Sequence, residues 1–222
     1  MIQGIFITGT DTGVGKTYVA TGIAAALTRK DVNVGVMKPA ETGCGMRAGL
    51  LIPRDAHLLM KAAKVRDSIS LVNPYRFRKP LAPSIAAEQE GKRINLARIE
   101  GAFKTLSRRH DFMIVEGAGG IMVPLTDSYT YLDLAKAMGL HVLIIARPGL
   151  GTINHTLLTV AALRQRRIVI AGIVINYTND FKPGLVEKLN PSAIAKISGV
   201  KIVGIISHGS CYWNGILDAL TK

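Results

Sequence analysis

Apolar residues in this chain come in short unbroken runs rather than in alternation. Ile2 to Ile7, Val32 to Met37, Phe112 to Val115, His141 to Ala146, Ile168 to Ile175 and a stretch near 200–206 carry almost no charge. Such runs predict strands buried on both faces, as in a parallel sheet covered by helices. Between them apolar positions take helical spacing. Val19, Ile23, Ala26 and Leu27 predict a helix over 17–29. Further helices are expected from Asp55 to Ala63 and near 84–90, 95–108, 130–138, 153–164, 183–189 and 213–220. Residues 40–54, with Gly43, Gly45, Gly49 and Pro53, read as a loop, and 67–83 as irregular. The expected architecture is a doubly wound α/β fold with a mostly parallel sheet and helices on both faces. A single domain over 1–222 accounts for the whole chain.

In such a sheet, ligands bind beyond the carboxyl ends of the strands. The chemically interesting groups fall there. The first strand leads into Gly9-Thr-Asp-Thr-Gly-Val-Gly-Lys-Thr17, and a helix follows. Strand, glycine-rich turn, Gly-Lys-Thr and helix form a phosphate cradle, because backbone N–H groups of the turn and of the first helical turn converge. This is the P-loop arrangement of nucleotide-binding proteins. Lys16 reaches toward the β- and γ-phosphates, and the Thr17 hydroxyl suits Mg²⁺. The spacing is unusual. The common pattern has glycine at position 10, where this chain has Thr10 and places Gly9 one residue earlier.

Three other strand ends add chemistry. Lys38 closes the second run and is held extended by Pro39. An ammonium fixed there neutralises charge developing in phosphoryl transfer. Glu116 ends the third run, before Gly117-Ala-Gly-Gly120. It stands where P-loop enzymes place a second acidic group, and the glycines admit close approach to a ligand. Asn176 ends a later run, and its amide offers a donor and an acceptor matching an adenine edge. Taken singly, Lys38 reads equally as a surface lysine and Asn176 as a turn starter. Thr17, Glu116 and Asp55 supply the oxygen ligands Mg²⁺ favours, although a helix N-cap explains Asp55 equally well. His155 reads as helix packing.

Composition narrows the classes. No apolar run reaches the roughly 18 to 20 residues of a membrane span. The N-terminus runs directly into a strand, so no signal peptide is expected, and a cytoplasmic location follows. Cys44 and Cys211 are far apart without metal-ligand spacing, which points to reduced thiols. Net charge is +13, but the basic clusters (Arg76, Arg78 and Lys79; Arg108 and Arg109; Arg164, Arg166 and Arg167) are small. With aromatics at 5% and not interleaved with them, a solvated surface is favoured over nucleic-acid binding.

Together, Gly9 to Thr17, Lys38-Pro-Ala-Glu-Thr-Gly43, Asp55-Ala56, Val115-Glu-Gly-Ala-Gly-Gly120, Pro124-Leu125 and Leu150-Gly-Thr-Ile-Asn-His155 resemble the dethiobiotin synthetases over about residues 1–176. The resemblance implies an ATP- and Mg²⁺-dependent ring closure of 7,8-diaminononanoate with CO₂ to dethiobiotin, a step of biotin biosynthesis. One amine becomes a carbamate, its oxygen takes the γ-phosphoryl group, and the second amine displaces phosphate. Carried over by position, Gly13, Val14, Gly15, Lys16, Thr17 and Tyr18 wrap the ATP phosphates. Thr17, Asp55 and Glu116 hold Mg²⁺, and Lys38 and Lys16 are the catalytic cations. Gly117, Ala118 and Gly119, with Gly120, lie between γ-phosphate and amines, and Asn176 holds adenine. Thr42 contacts the diamine. Gly151, Thr152 and Asn154 serve the substrate carboxylate across a homodimer interface. Three departures stand out: the apolar loop 44–54, Glu41 as an added acid beside Thr42, and Ser207 near the adenine site, in the divergent segment 204–211.

Other readings make distinct demands. A partitioning or division-site switch ATPase needs a lysine where this chain has Asp11, and a cobyrinate-type amide synthase needs a glutaminase domain.

Overall fold

The computed structural model describes residues 4–180, 182–210 and 213–220. Its centre is a parallel sheet of β1 (Gly4–Gly9), β2 (Val34–Met37), β7 (Phe112–Gly120), β10 (His141–Ala146), β11 (Ile170–Asn176) and β12 (Ile202–Ile206). Their spatial order is β12-β11-β10-β1-β7-β2. Later strands add to one side of β1 and earlier ones to the other, so β1 ends at the switch point, where such sheets open a crevice.

Side chains alternate between two covered faces, which explains why the runs lack polar alternation. Phe6, Val115 and Ile144 point to one core, with α4 (Pro83–Gln89), α5 (Leu96–Ser107), α6 (Tyr131–Met138), α7 (Thr152–Gln165) and α8 (Leu185–Ser198) on that side. Ile5, Ile7, Ile114 and Ile145 point to the other, against α1 (Lys16–Thr28), α2 (Arg54–Ala63) and α9 (Asn214–Leu220). Among the described residues, no helix is long and apolar enough to cross a membrane.

Two expectations are corrected. Residues 40–54 are not plain loop. They contain β3 (Ala40–Glu41) and an antiparallel hairpin of β4 (Gly45–Arg47) and β5 (Leu50–Ile52). Gly49 at φ 76 turns that hairpin, so a glycine read as loop punctuation serves a strand reversal. β3 pairs in parallel with β6 (Tyr75–Arg76), which follows the short helix α3 (Ile69–Val72) inside the supposedly irregular 67–83. Second, the helix expected near 183–189 continues to Ser198 through Pro191. The buried Asn190 donates to the carbonyls of Pro148 (2.7 Å) and Gly149 (3.3 Å) and pins this helix to the loop after β10. Tertiary packing here outweighs a proline cost of about 3 kcal/mol. A smaller hairpin, β8 (Pro124–Thr126) with β9 (Tyr129–Thr130), precedes α6, whose Thr130 and Asp133 form a reciprocal cap.

Candidate active site

The Lys38–Glu116 contact is written in the strand register. Met37 pairs with Val115, so Lys38 and Glu116 leave neighbouring strands side by side. The Lys38 Nζ donates to Glu116 Oε1 at 2.5 Å and to the Gly117 carbonyl at 3.3 Å, and pairs with Asp55 Oδ2 at 3.1 Å. Thr17 Oγ1 donates to the same Glu116 oxygen at 2.7 Å. One cation, two carboxylates and one hydroxyl therefore converge from four elements. Burial by itself would lower the Lys38 pKa, but Glu116 and Asp55 outweigh it and hold the ammonium above the ordinary lysine value. Asn73, which the sequence reading missed, fixes this lysine's backbone by donating to the Lys38 carbonyl at 2.7 Å.

The loop after β1 is shaped by backbone freedom. Gly13 (φ 75) and Gly15 (φ 89) sit in the left-handed region, and Gly15 caps α1. Lys16 lies along the loop, its Nζ donating to the Asp11 carbonyl at 3.2 Å. Burial, reinforced by the nearby Lys38 charge, lowers its pKa to about 8 against the opposing pull of Glu116, Asp55 and Asp11. Opposite, β7 bulges. Ile7 pairs with Glu116 and Gly9 with Gly120, so Gly117 to Gly119 stand out of register. Gly119 takes φ 64, and Phe6 and Tyr131 pack beneath Gly117.

These groups surround a cavity of about 710 Å³. Thr12, Gly13, Gly15, Lys16 and Thr17 form one wall, and Lys38, Glu41, Thr42 and Asp55 a second. Glu116, Ala118 and Gly119 close it, and Pro80 to Pro83 form an apolar rim.

Not every expected residue reaches the cavity wall. Asn176 sits over the loop instead: its Nδ2 donates to the Val14 carbonyl at 2.9 Å, and its buried Oδ1 has no partner. The Tyr18 side chain turns away, its ring tilted against that of Trp213 with centroids 5.7 Å apart, and donates to the Ser210 carbonyl. Gly151, Thr152 and Asn154 lie at the start of α7, beyond β10. Gly151 (φ 85) is its cap, Thr152 is buried with an unpartnered hydroxyl, and Asn154 is exposed. The segment 204–211 is described only to Ser210. Cys211 and Tyr212 lie outside the described residues.

Mg²⁺ fits this donor set. Glu116 Oε2 is buried and unpartnered, its Oε1 meets the Thr17 hydroxyl, and Asp55 reaches the same cluster through Lys38, so the cluster supplies the hard oxygens Mg²⁺ favours.

Comparison with known proteins separates fold from family. Residues 3–210 match the family described as an AAA domain. The ATP-dependent dethiobiotin synthetase BioD of Thermodesulfovibrio yellowstonii is 42% identical over 94% of this chain and 90% of its own length. The protein of the same name from Methanocaldococcus jannaschii is 40% identical over 91% of this chain and 92% of its own. That from Anaeromyxobacter dehalogenans is 46% identical over 89% and 86%.

The chain belongs to the dethiobiotin synthetase family.

Among solved structures, a ParA family ATPase from Chlorobium tepidum superposes with a TM-score of 0.57 at 14% identity, over 100% of this chain and 90% of that one. The MinD cell division protein of Aquifex aeolicus gives 0.57 at 16%, over 98% and 87%. These show that this chain shares its overall fold with those two proteins, and nothing about activity.

Proposed function

We propose that the chain is an ATP-dependent dethiobiotin synthetase that carboxylates 7,8-diaminononanoate with CO₂ and closes the ureido ring. Its family membership supports the reaction. The geometry that carries it is Lys38, held between Asp55 and Glu116 and facing the Lys16–Thr17 loop across one cavity.

The chemistry suits these groups. A substrate amine and CO₂ give a carbamate and release a proton. The carbamate oxygen attacks the γ-phosphorus, forming a carbamic–phosphoric anhydride as ADP leaves. The second amine attacks the carbonyl, closing the ring and expelling phosphate and a proton. Lys38 and Lys16 flank the transferring phosphoryl group and offset the charge that develops on it. Gly119, which lines the cavity in the left-handed region, lets the reacting groups approach the backbone closely. Thr17, Asp55 and Glu116 would hold Mg²⁺, which would offset triphosphate charge. Residues 13–18 wrap the phosphates, and the unpartnered Asn176 Oδ1 suits the adenine amino group. Thr42 contacts the diamine.

Gly151, Thr152 and Asn154 are assigned to the substrate carboxylate in a site shared with a second copy. Supporting this homodimer, Leu150 and Leu158 flank them at 80% and 61% exposure. A cytoplasmic location belongs to the same reading.

The test is phosphate release from MgATP and bicarbonate with and without the diamine. Diamine-dependent release, with dethiobiotin formed, is expected. ATP binding without diamine-stimulated release would refute the assignment. Stimulation by DNA or protein instead would favour a switch ATPase, although Asp11, 3.7 Å from Arg147, occupies the position where those need lysine.

A further inference from the structure

Glu41 is a buried carboxylate with two well-made hydrogen bonds and no role in the chemistry above. It is 5% exposed and lines the cavity beside Thr42. Its Oε1 accepts from the Asp55 N–H at 2.9 Å and its Oε2 from the Ala56 N–H at 3.0 Å. Both donors belong to the first turn of α2, where four N–H groups lack intrahelical partners. The local cap cannot help: Pro53 precedes the helix and makes no side-chain cap. Glu41 thus caps α2 from β3, across the β4–β5 hairpin, and its charge faces the positive end of the helix. Burial raises its pKa, while these two donors oppose that shift.

The first of the two donors is the backbone of Asp55. Its Oδ2 lies 3.1 Å from Lys38 Nζ, so the carboxylate points into the cluster with Glu116 and Thr17. Asp55 is itself 35% exposed, with one strong tether in its side chain and another in its backbone. Fixing the N–H fixes the Cα–Cβ direction from which the carboxylate is aimed. β3 is anchored in turn by its pairing with β6, which gives the cap a rigid base.

We propose that Glu41 is a positioning residue for the metal site: it caps α2 at Asp55 and so aims the Asp55 carboxylate at the divalent cation. The proposal rests on Asp55 being a metal ligand. It also explains why an acid is tolerated next to the diamine-contacting Thr42. Each oxygen already accepts from a backbone donor, which ties the carboxylate to the helix start.

The test reads the metal directly. Mn²⁺ is titrated by electron paramagnetic resonance in the presence of β,γ-imido-ATP, for the wild-type chain, Glu41→Ala, Glu41→Gln and Asp55→Asn. Nucleotide affinity in EDTA and melting temperature are measured alongside. Loss of a partner behind a metal ligand typically costs about 10- to 100-fold in metal affinity. Glu41→Ala is expected to weaken Mn²⁺ about tenfold with nucleotide affinity in EDTA unchanged. Glu41→Gln keeps one acceptor and the same length, and is expected to fall between. It also serves if the alanine variant does not fold. If Asp55→Asn weakens Mn²⁺ but both Glu41 variants bind it normally, Glu41 is only a helix cap and the proposal is overturned. Unchanged Mn²⁺ binding in Asp55→Asn overturns the ligand assignment itself. Equal losses in EDTA and in Mn²⁺ would also overturn it, because the damage would then lie in the phosphate loop.

Discussion

The two sides of the phosphate loop are built differently. On the side of β7 and β2, charged groups from separate elements lock one another: Lys38, Glu116, Asp55 and Thr17 form one connected set, buried apart from the part-exposed Asp55 and Thr17. On the side of β11 and β12, a single neutral amide, Asn176, rests on the Val14 carbonyl, and the sheet ends in a strand whose Ile205 is 57% exposed. On the proposed reading the first side would stabilise charge that appears during reaction, a task suited to preorganised ions in a water-poor setting. On the same reading the second would recognise adenine, a group that does not change, for which one or two hydrogen bonds suffice.

Substitutions on the two sides should therefore separate turnover from binding. The largest effect is expected from Lys38→Ala. Turnover should drop by about 10²-fold or more while β,γ-imido-ATP binds nearly as well, as for a lost transition-state charge. Single-turnover phosphate release and calorimetry together check it, and unchanged turnover would remove Lys38 from the mechanism. Next is Gly15→Ala, at the hinge between the sides. A side chain at φ 89 costs about 1–2 kcal/mol of strain, and its Cβ would also collide with the Asn176 amide. Nucleotide affinity should fall by roughly tenfold or more. A loop that binds normally would show that Asn176 yields easily.

Asn176→Ala comes third. Losing a net hydrogen bond of about 0.5–1.5 kcal/mol predicts a few-fold to tenfold weaker ATP and a smaller preference over GTP, with turnover at saturation preserved. Competition binding with both nucleotides measures this, and a fall in saturated turnover would blur the distinction between the sides. The smallest effect concerns Cys44, buried near the ionic side, where desolvation pushes the thiol up to about 11. In a Cys211→Ser background, alkylation of the native chain should be slow at pH 8 and accelerate only as pH approaches 11. Fast labelling at pH 8 would mean the segment after β3 opens readily.

The sequence showed the sheet because every central strand is a bare apolar run. It showed the ionic side because strand ends in such a sheet converge whatever joins them: Lys38 and Glu116 are 78 residues apart and touch through register alone. What it hid depends on tertiary partners. The β4–β5 hairpin is too short and glycine-rich to carry a periodic signal. The run of α8 through Pro191 depends on Asn190 reaching a distant loop. Glu41 was visible as an extra acid, but its meaning lies in a helix start 14 residues later that has no local cap. Asn73 and Tyr131 gave no signal at all, being an ordinary turn residue and an ordinary helix aromatic until the fold places them beside Lys38 and Gly117.

Trp213 lies across α1 so closely that a side chain on Gly22 would occupy the same space, and its ring meets Tyr18 in the first turn of that helix. It is also the chain's one tryptophan. The molecule thus carries its own optical gauge on the helix that begins at the phosphate loop. If that helix tilts as nucleotide enters or leaves, the indole's surroundings would change with it, and intrinsic emission of the unlabelled protein would report loading in real time.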